Sequence, residues 1–119
     1  MMLPSDVAIY VALEPIDLRW SFDLLAGIVR ERLGEDPRSG SLFLFFGRRN
    51  DRVKCLFFDR SGYCVLYKRL DKGTFRTPAV VEPGARAVAI DEAELALLLE
   101  GLELPDVARR TKRRHRRVH

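Results

Sequence analysis

Few residues in this chain are of a kind that carries out covalent chemistry, and those few are poorly spaced for it. The 119 residues include two histidines, His115 and His119, both close to the C-terminus. The rest of the chain therefore has no imidazole to act as general base for a serine or cysteine nucleophile. A G-x-S-x-G turn, a Walker-type loop and a G-x-G-x-x-G run are all missing from the sequence. Phosphoryl chemistry with paired divalent ions needs several convergent carboxylates. Asp17, Asp23 and Asp59 are the candidates, but Asp17 and Asp59 stand where caps and turns favour aspartate anyway. His115 and His119 have the i, i+4 spacing of a ligand pair, yet Cys55 and Cys64 are too far apart in sequence to form a C-x-x-C motif. No catalytic residue, metal or cofactor is assigned, and the chain reads as a non-enzyme.

The two cysteines lie in apolar, strand-like runs. Without an export signal they read as reduced, buried small hydrophobes, with a disulfide across the intervening hairpin as the alternative. The N-terminus lacks the basic start of a signal peptide, and no run approaches the ~20 apolar residues of a membrane span. A cytoplasmic protein without membrane association is expected.

Charge is the informative feature. The net +4 is segregated. Residues 47–76 hold nine basic and three acidic groups, and residues 106–119 set seven basic groups against Asp106. Each block is thus +6, while residues 1–46 and 77–105 are net acidic. Two positive surfaces separated by an acidic segment suit a polyanionic partner. In the first block Arg48, Arg49 and Arg52 mark one turn, Lys54, Lys68 and Arg69 lie on strands, and Lys72 and Arg76 flank a second turn, with Tyr63 and Tyr67 among them. Arginines in turns reach phosphates, and two-stranded ribbons fit the major groove. A solvated sheet face protected against aggregation would carry the same charges. In the second block Arg109, Arg110, Lys112, Arg113, Arg114, Arg116 and Arg117 read as a disordered arm for nucleic acid.

The elements that position these charges follow from periodicity. Val7 to Leu13 reads as a strand ended by Pro15. Leu18, Phe22, Leu25, Val29 and Leu33 form one face of a helix, with Asp17 or Ser21 as N-cap and Gly34 as the left-handed C-terminal residue. Leu42–Phe46, Val53–Phe58 and Tyr63–Leu70 are three strands of an antiparallel meander, and Gly62 is expected to take the positive φ of the Asp59-Arg60-Ser61-Gly62 turn. Neither face of the third strand is wholly polar, so the sheet is either covered on both sides or curled toward a barrel. Ala87–Ile90 is a short strand. Asp91 and Glu94 make a capping box for a helix buried along Leu95, Leu98, Leu99 and Leu102. The fold class is α+β: one small domain over 1–105, its meander packed by an N-terminal and a C-terminal helix, followed by a basic disordered tail over 106–119.

These residues also carry a family pattern. Asp17-Leu18-Arg19, Phe22-Asp23 and Leu25 resemble the D-M-R … F-D … L opening of TnpB, the accessory protein of insertion sequence 66 type elements. Asp36-Pro37-Arg38-Ser39-Gly40-Ser41-Leu42-Phe43 is similar to its D-P-x-S-G-x-L-F. Arg52-Val53-Lys54-Cys55-Leu56 through Phe58-Asp59 to Gly62 resembles R-x-K-x-L-x-W-D-x-x-G. Tyr67 is followed by Lys68-Arg69-Leu70-Asp71-Lys72-Gly73-Thr74-Phe75, similar to K-R-L-E-x-G-x-F, and Leu95 to Gly101 resembles L-x-x-L-L-x-G. The pieces occur in order over residues 7–104. Trp20 stands where the family usually has Lys or Arg, and Phe58 replaces its Trp. The resemblance implies a bacterial mobile-element protein that assists a separate DDE transposase and has no established catalysis of its own. It leaves Asp17, Arg19, Asp59, Gly62, Gly73 and Phe75 as motif residues without a role. DNA is the partner expected from charge. The competing expectation is an adaptor that docks on the transposase, through a C-terminal helix bearing Glu92, Glu94, Glu100 and Glu103. The oligomeric state is not set by the sequence.

Overall fold

A computed structural model of the chain describes residues 7–78 and 82–104. Its strands are β1 (Ile9–Ala12), β2 (Leu42–Phe46), β3 (Arg52–Asp59), β4 (Gly62–Arg69) and β5 (Ala87–Ile90). Helix α1 (Phe22–Ile28) runs directly into a π-helical turn, Val29–Leu33, and α2 is Glu92–Leu99. The strands form one sheet in the order β4-β3-β2-β1-β5. The β2-β3-β4 meander is antiparallel, as its turn residues predict. β1 adds to it parallel to β2, with α1 in the connection, and β5 pairs antiparallel with β1.

This order explains the sequence pattern of β2. All five residues of Leu42-Phe43-Leu44-Phe45-Phe46 are buried. A strand covered on both faces loses the alternation of a half-exposed one and becomes continuously apolar. On one face Leu42, Leu44 and Phe46 pack with Ile9, Val11, Val53, Phe75, Ile90 and the α2 residues Leu95 and Leu98. On the other, Phe43 and Phe45 pack with Ile16, Leu56, the α1 residues Leu25 and Ala26, and Val29 of the π-helical turn. The sheet is covered on both sides and open, with β4 and β5 at its edges, so the barrel alternative is not adopted.

The helix ends follow the expected chemistry in part. The Asp91 carboxylate accepts from the Glu94 N–H at 2.8 Å, and Glu94 accepts from the Asp91 N–H at 3.1 Å. That reciprocal box satisfies two donors at the start of α2. Gly34 ends the π-helical turn in the left-handed region, φ 68°. The start of α1 differs from the expectation. Ser21 holds the N-cap position without a side-chain bond. Leu18 lies before the helix rather than on its stripe, and Phe22 is 45% exposed. Leu102 is likewise 52% exposed, beyond the end of α2. In the β3–β4 turn the positive φ falls on Arg60, at 53°, and Gly62 instead opens β4 opposite Asp59. Both cysteines are free thiols. Cys64 is only half-buried, and burial pushes the Cys55 thiol up to about 12.

Candidate nucleic-acid interface

Three connections meet at one end of the sheet, beyond the C-terminal ends of the parallel strands β1 and β2. The segment after β1 is fixed by the Ile16 N–H on the Phe46 carbonyl at 2.9 Å. The segment after β4 is fixed by the Leu70 N–H on Asp51 at 2.9 Å and the Phe75 N–H on Asn50 at 2.6 Å. Between them lies the 47–51 turn. Phe75 is 2% exposed and meets the Phe46 ring edge-on at 5.5 Å, so the exit of the meander is anchored in the core. The turn residues Arg48 and Arg49 border a cleft of about 240 Å³ with Ile16, Leu18 and Arg52. A second cleft, about 380 Å³, shares Gly47 and Arg48 with the first and includes Glu14, Asn50 and Thr77.

The expected basic residues separate into two groups. Arg48, Arg49, Arg69, Lys72 and Arg76 are exposed at this end, and Arg52 is half-buried beside them. Among the described residues, no ion pair involves Arg48, Arg49, Arg69, Lys72 or Arg76. Lys54 and Lys68 are committed to hydrogen bonds within the protein. Lys54 is 7% exposed, donates to the Trp20 carbonyl at 2.7 Å and lies 5.0 Å from the centre of the Tyr67 ring. Lys68 donates to the Leu99 carbonyl at 2.8 Å and to Glu100 at 3.0 Å, which ties β4 to the C-terminal end of α2. A cation at that end also complements the helix dipole.

Arg52 and Arg69 stand directly opposite each other on β3 and β4. Arg52 Nη1 donates to the Tyr67 hydroxyl at 3.2 Å, and its Nε is 4.0 Å from Asp51. Like charges across a sheet are destabilising by a few tenths to about 1 kcal/mol. The register thus sets two arginines opposite each other, where an anion bound by both would relieve that repulsion.

The motif residues of unassigned role act on this architecture. Asp17 accepts from the Arg19 backbone N–H at 2.9 Å and from its guanidinium at 2.6 to 3.1 Å. Those Arg19 hydrogen bonds hold the half-buried Asp17 carboxyl down to about 2. The 17–20 turn is closed by the Trp20 N–H on the Asp17 carbonyl at 3.0 Å and is seated by Leu18 against Gly47. Asp36 caps its own loop by accepting from the Arg38 N–H at 2.9 Å. Gly101 takes the left-handed φ of 74°, and a Cβ added there would lie 3.3 Å from Leu70 Cδ1, a tight contact. Gly73 turns the chain ahead of Phe75, and Asp59 and Gly62 close the β3–β4 hairpin at the opposite end of the sheet. The 13–20 connection forms the third wall of this surface, a role its sequence hardly signals. The D-L-R turn ahead of α1 was its only signal.

Among the described residues, no group of three or more His, Cys, Asp or Glu is placed to hold a metal ion. No helix among them is long and apolar enough to cross a membrane. On the acidic α2 side Glu92 and Glu103 are exposed, Glu100 is paired with Lys68, and Glu94 is buried in its capping box. Arg109, Arg110, Lys112, Arg113, Arg114, Arg116 and Arg117, with His115 and His119, lie outside the described residues.

Comparison with known proteins matches residues 7–109 to the family described as IS66 Orf2 like protein. The uncharacterized protein y4hO of Sinorhizobium fredii (strain NBRC 101917 / NGR234) is 40% identical over 104 residues, covering 86% of this chain and 88% of the relative. The uncharacterized protein y4jC of the same strain is 34% identical over 119 residues, covering 99% of each. No solved structure matches the chain.

Proposed function

The chain belongs to the family of IS66 Orf2-like proteins, and on that premise we propose that it assists transposition by binding DNA through the basic end of its sheet. The observation that carries this reading is the convergence of Arg48, Arg49, Arg52, Arg69, Lys72 and Arg76 at one end of the sheet, where the 47–51 turn and the segment after β4 are pinned to each other by backbone hydrogen bonds. These cations flank the open end of one hairpin, β3–β4, and those with no ion pair among the described residues stay available to phosphates. The +6 block of residues 106–119 adds to the same electrostatic attraction. Lys54 and Lys68 are not part of the contact in this reading, because both support the fold. The protein takes no catalytic step. The element's transposase carries the strand chemistry and is the second partner.

Titration of labelled DNA over a salt series tests the reading. Each phosphate neutralised steepens the loss of affinity by about 0.9 log unit per log unit of salt. A flat response would contradict it. Co-purification with the transposase without any shift of free DNA would transfer the function to an adaptor that uses the exposed Glu92 and Glu103 side.

A further inference from the structure

We infer that the DNA form this surface receives is unpaired, with a base stacked on the outer face of Tyr67; the inference rests on the DNA-binding reading above. Tyr67 sits on the edge strand β4 and is 50% exposed. Its inner side is occupied: the buried Lys54 ammonium lies 5.0 Å from the ring centre and is itself held by the Trp20 carbonyl. Its hydroxyl is held by Arg52 at 3.2 Å. The ring is thus fixed at two points before any ligand arrives, so little ordering entropy remains to be lost on stacking.

The surroundings match what a single strand needs. Successive bases stack on aromatic faces while cations follow the backbone. Arg69 is exposed two residues further along the same face of β4, opposite Arg52. Phe22 and Leu24, at the start of the helix that packs on this face of the sheet, are 45% and 58% exposed and add apolar surface on the same side. A duplex finds less to engage. Entry into a groove needs a projecting helix or ribbon. Here Val53 to Leu56 of β3 are buried within the sheet, which prevents the β3–β4 ribbon from entering one. The ribbon's own turn, at Arg60 and Ser61, lies at the far end of the sheet from Arg48 and Arg49.

The test uses the full chain, a labelled single strand and the duplex of the same sequence at matched salt. The single strand is expected to bind at least about tenfold more tightly. Tyr67→Ala should weaken single-strand binding roughly 5- to 150-fold, the range for losing one base–aromatic stack. It should change duplex binding less than about twofold, because phosphate contacts persist. Tyr67→Phe should keep most of the single-strand affinity, and Tyr67→Leu, which retains apolar bulk for folding, should behave as Tyr67→Ala does. Equal or tighter binding of the duplex, or equal losses on both forms, would overturn the inference while leaving DNA binding intact. Binding of neither form would overturn both.

Discussion

Lys54 Nζ, buried in the centre of β3, donates to the carbonyl oxygen of Trp20 at 2.7 Å, so a strand lysine holds the turn that precedes α1. The pair explains why a lysine belongs in an otherwise apolar stretch of β3. Lys54→Met would keep the bulk and remove the donor. A carbonyl left without its partner costs about 1–3 kcal/mol, and the chemical denaturation midpoint should fall accordingly. An unchanged midpoint would mean that the turn is held by other contacts.

Gly47 and Leu18 fit together closely enough to be tested as a pair. A Cβ added at Gly47 would lie 2.5 Å from Leu18 Cδ1 and 3.0 Å from its Cγ. Gly47→Ala should destabilise by about 1–2 kcal/mol through overpacking. Leu18→Ala in the same chain should cost less than the sum of the two single changes, since contacting sites couple. Additive unfolding energies would show that Leu18 moves aside freely.

Asp17 gives a pH signature whose sign is fixed by its lowered pKa. The folded carboxyl titrates at about 2 instead of the ordinary 3.8, so the unfolded chain takes up the proton first on acidification. The contribution of the Asp17–Arg19 pair is therefore complete above about pH 4 and is lost as the pH falls toward 2. The pair lies at the surface and is screened, which keeps the effect small and salt-sensitive. Urea unfolding of the native protein and Asp17→Asn should differ above pH 4 and converge near pH 2. A difference that persists at the acid end would point to a cause other than ionisation.

The cysteines should react unequally. Cys55 is buried with its thiol pushed up to about 12, so little thiolate forms, whereas Cys64 is half-buried on the edge strand. Alkylation of the native protein followed by peptide mass spectrometry should find the label on Cys64, with Cys55 modified only after denaturation. Equal labelling would mean that the core opens readily.

Much of the fold was legible because its signals are local. The five apolar residues of β2, the Asp91–Glu94 box and Gly34 each solve a problem set by their immediate neighbours. The parallel pairing of β1 with β2 was not legible, since it depends on which strand edge the chain meets after α1. The positive φ at Arg60 escaped the turn rules because glycine is the usual bearer of that conformation. For the basic surface, charge counting found the block but not the individual duties. Lys54 and Lys68 look like Arg69 in sequence, and only tertiary placement separates the lysines that bind carbonyls from the arginine left in solvent. Tyr67 stands among the cations in sequence, but its fixed ring follows from the register that sets it opposite Lys54.

The salt dependence of DNA binding by a chain carrying Arg48→Gln, Arg49→Gln and Arg69→Gln tests the central claim most directly. Removing three phosphate contacts should lower the slope of log affinity against log salt by about 2–3. The melting temperature should not fall, because the Arg52–Arg69 repulsion is relieved at the same time. An unchanged slope would place the DNA contacts elsewhere in the chain and contradict the account.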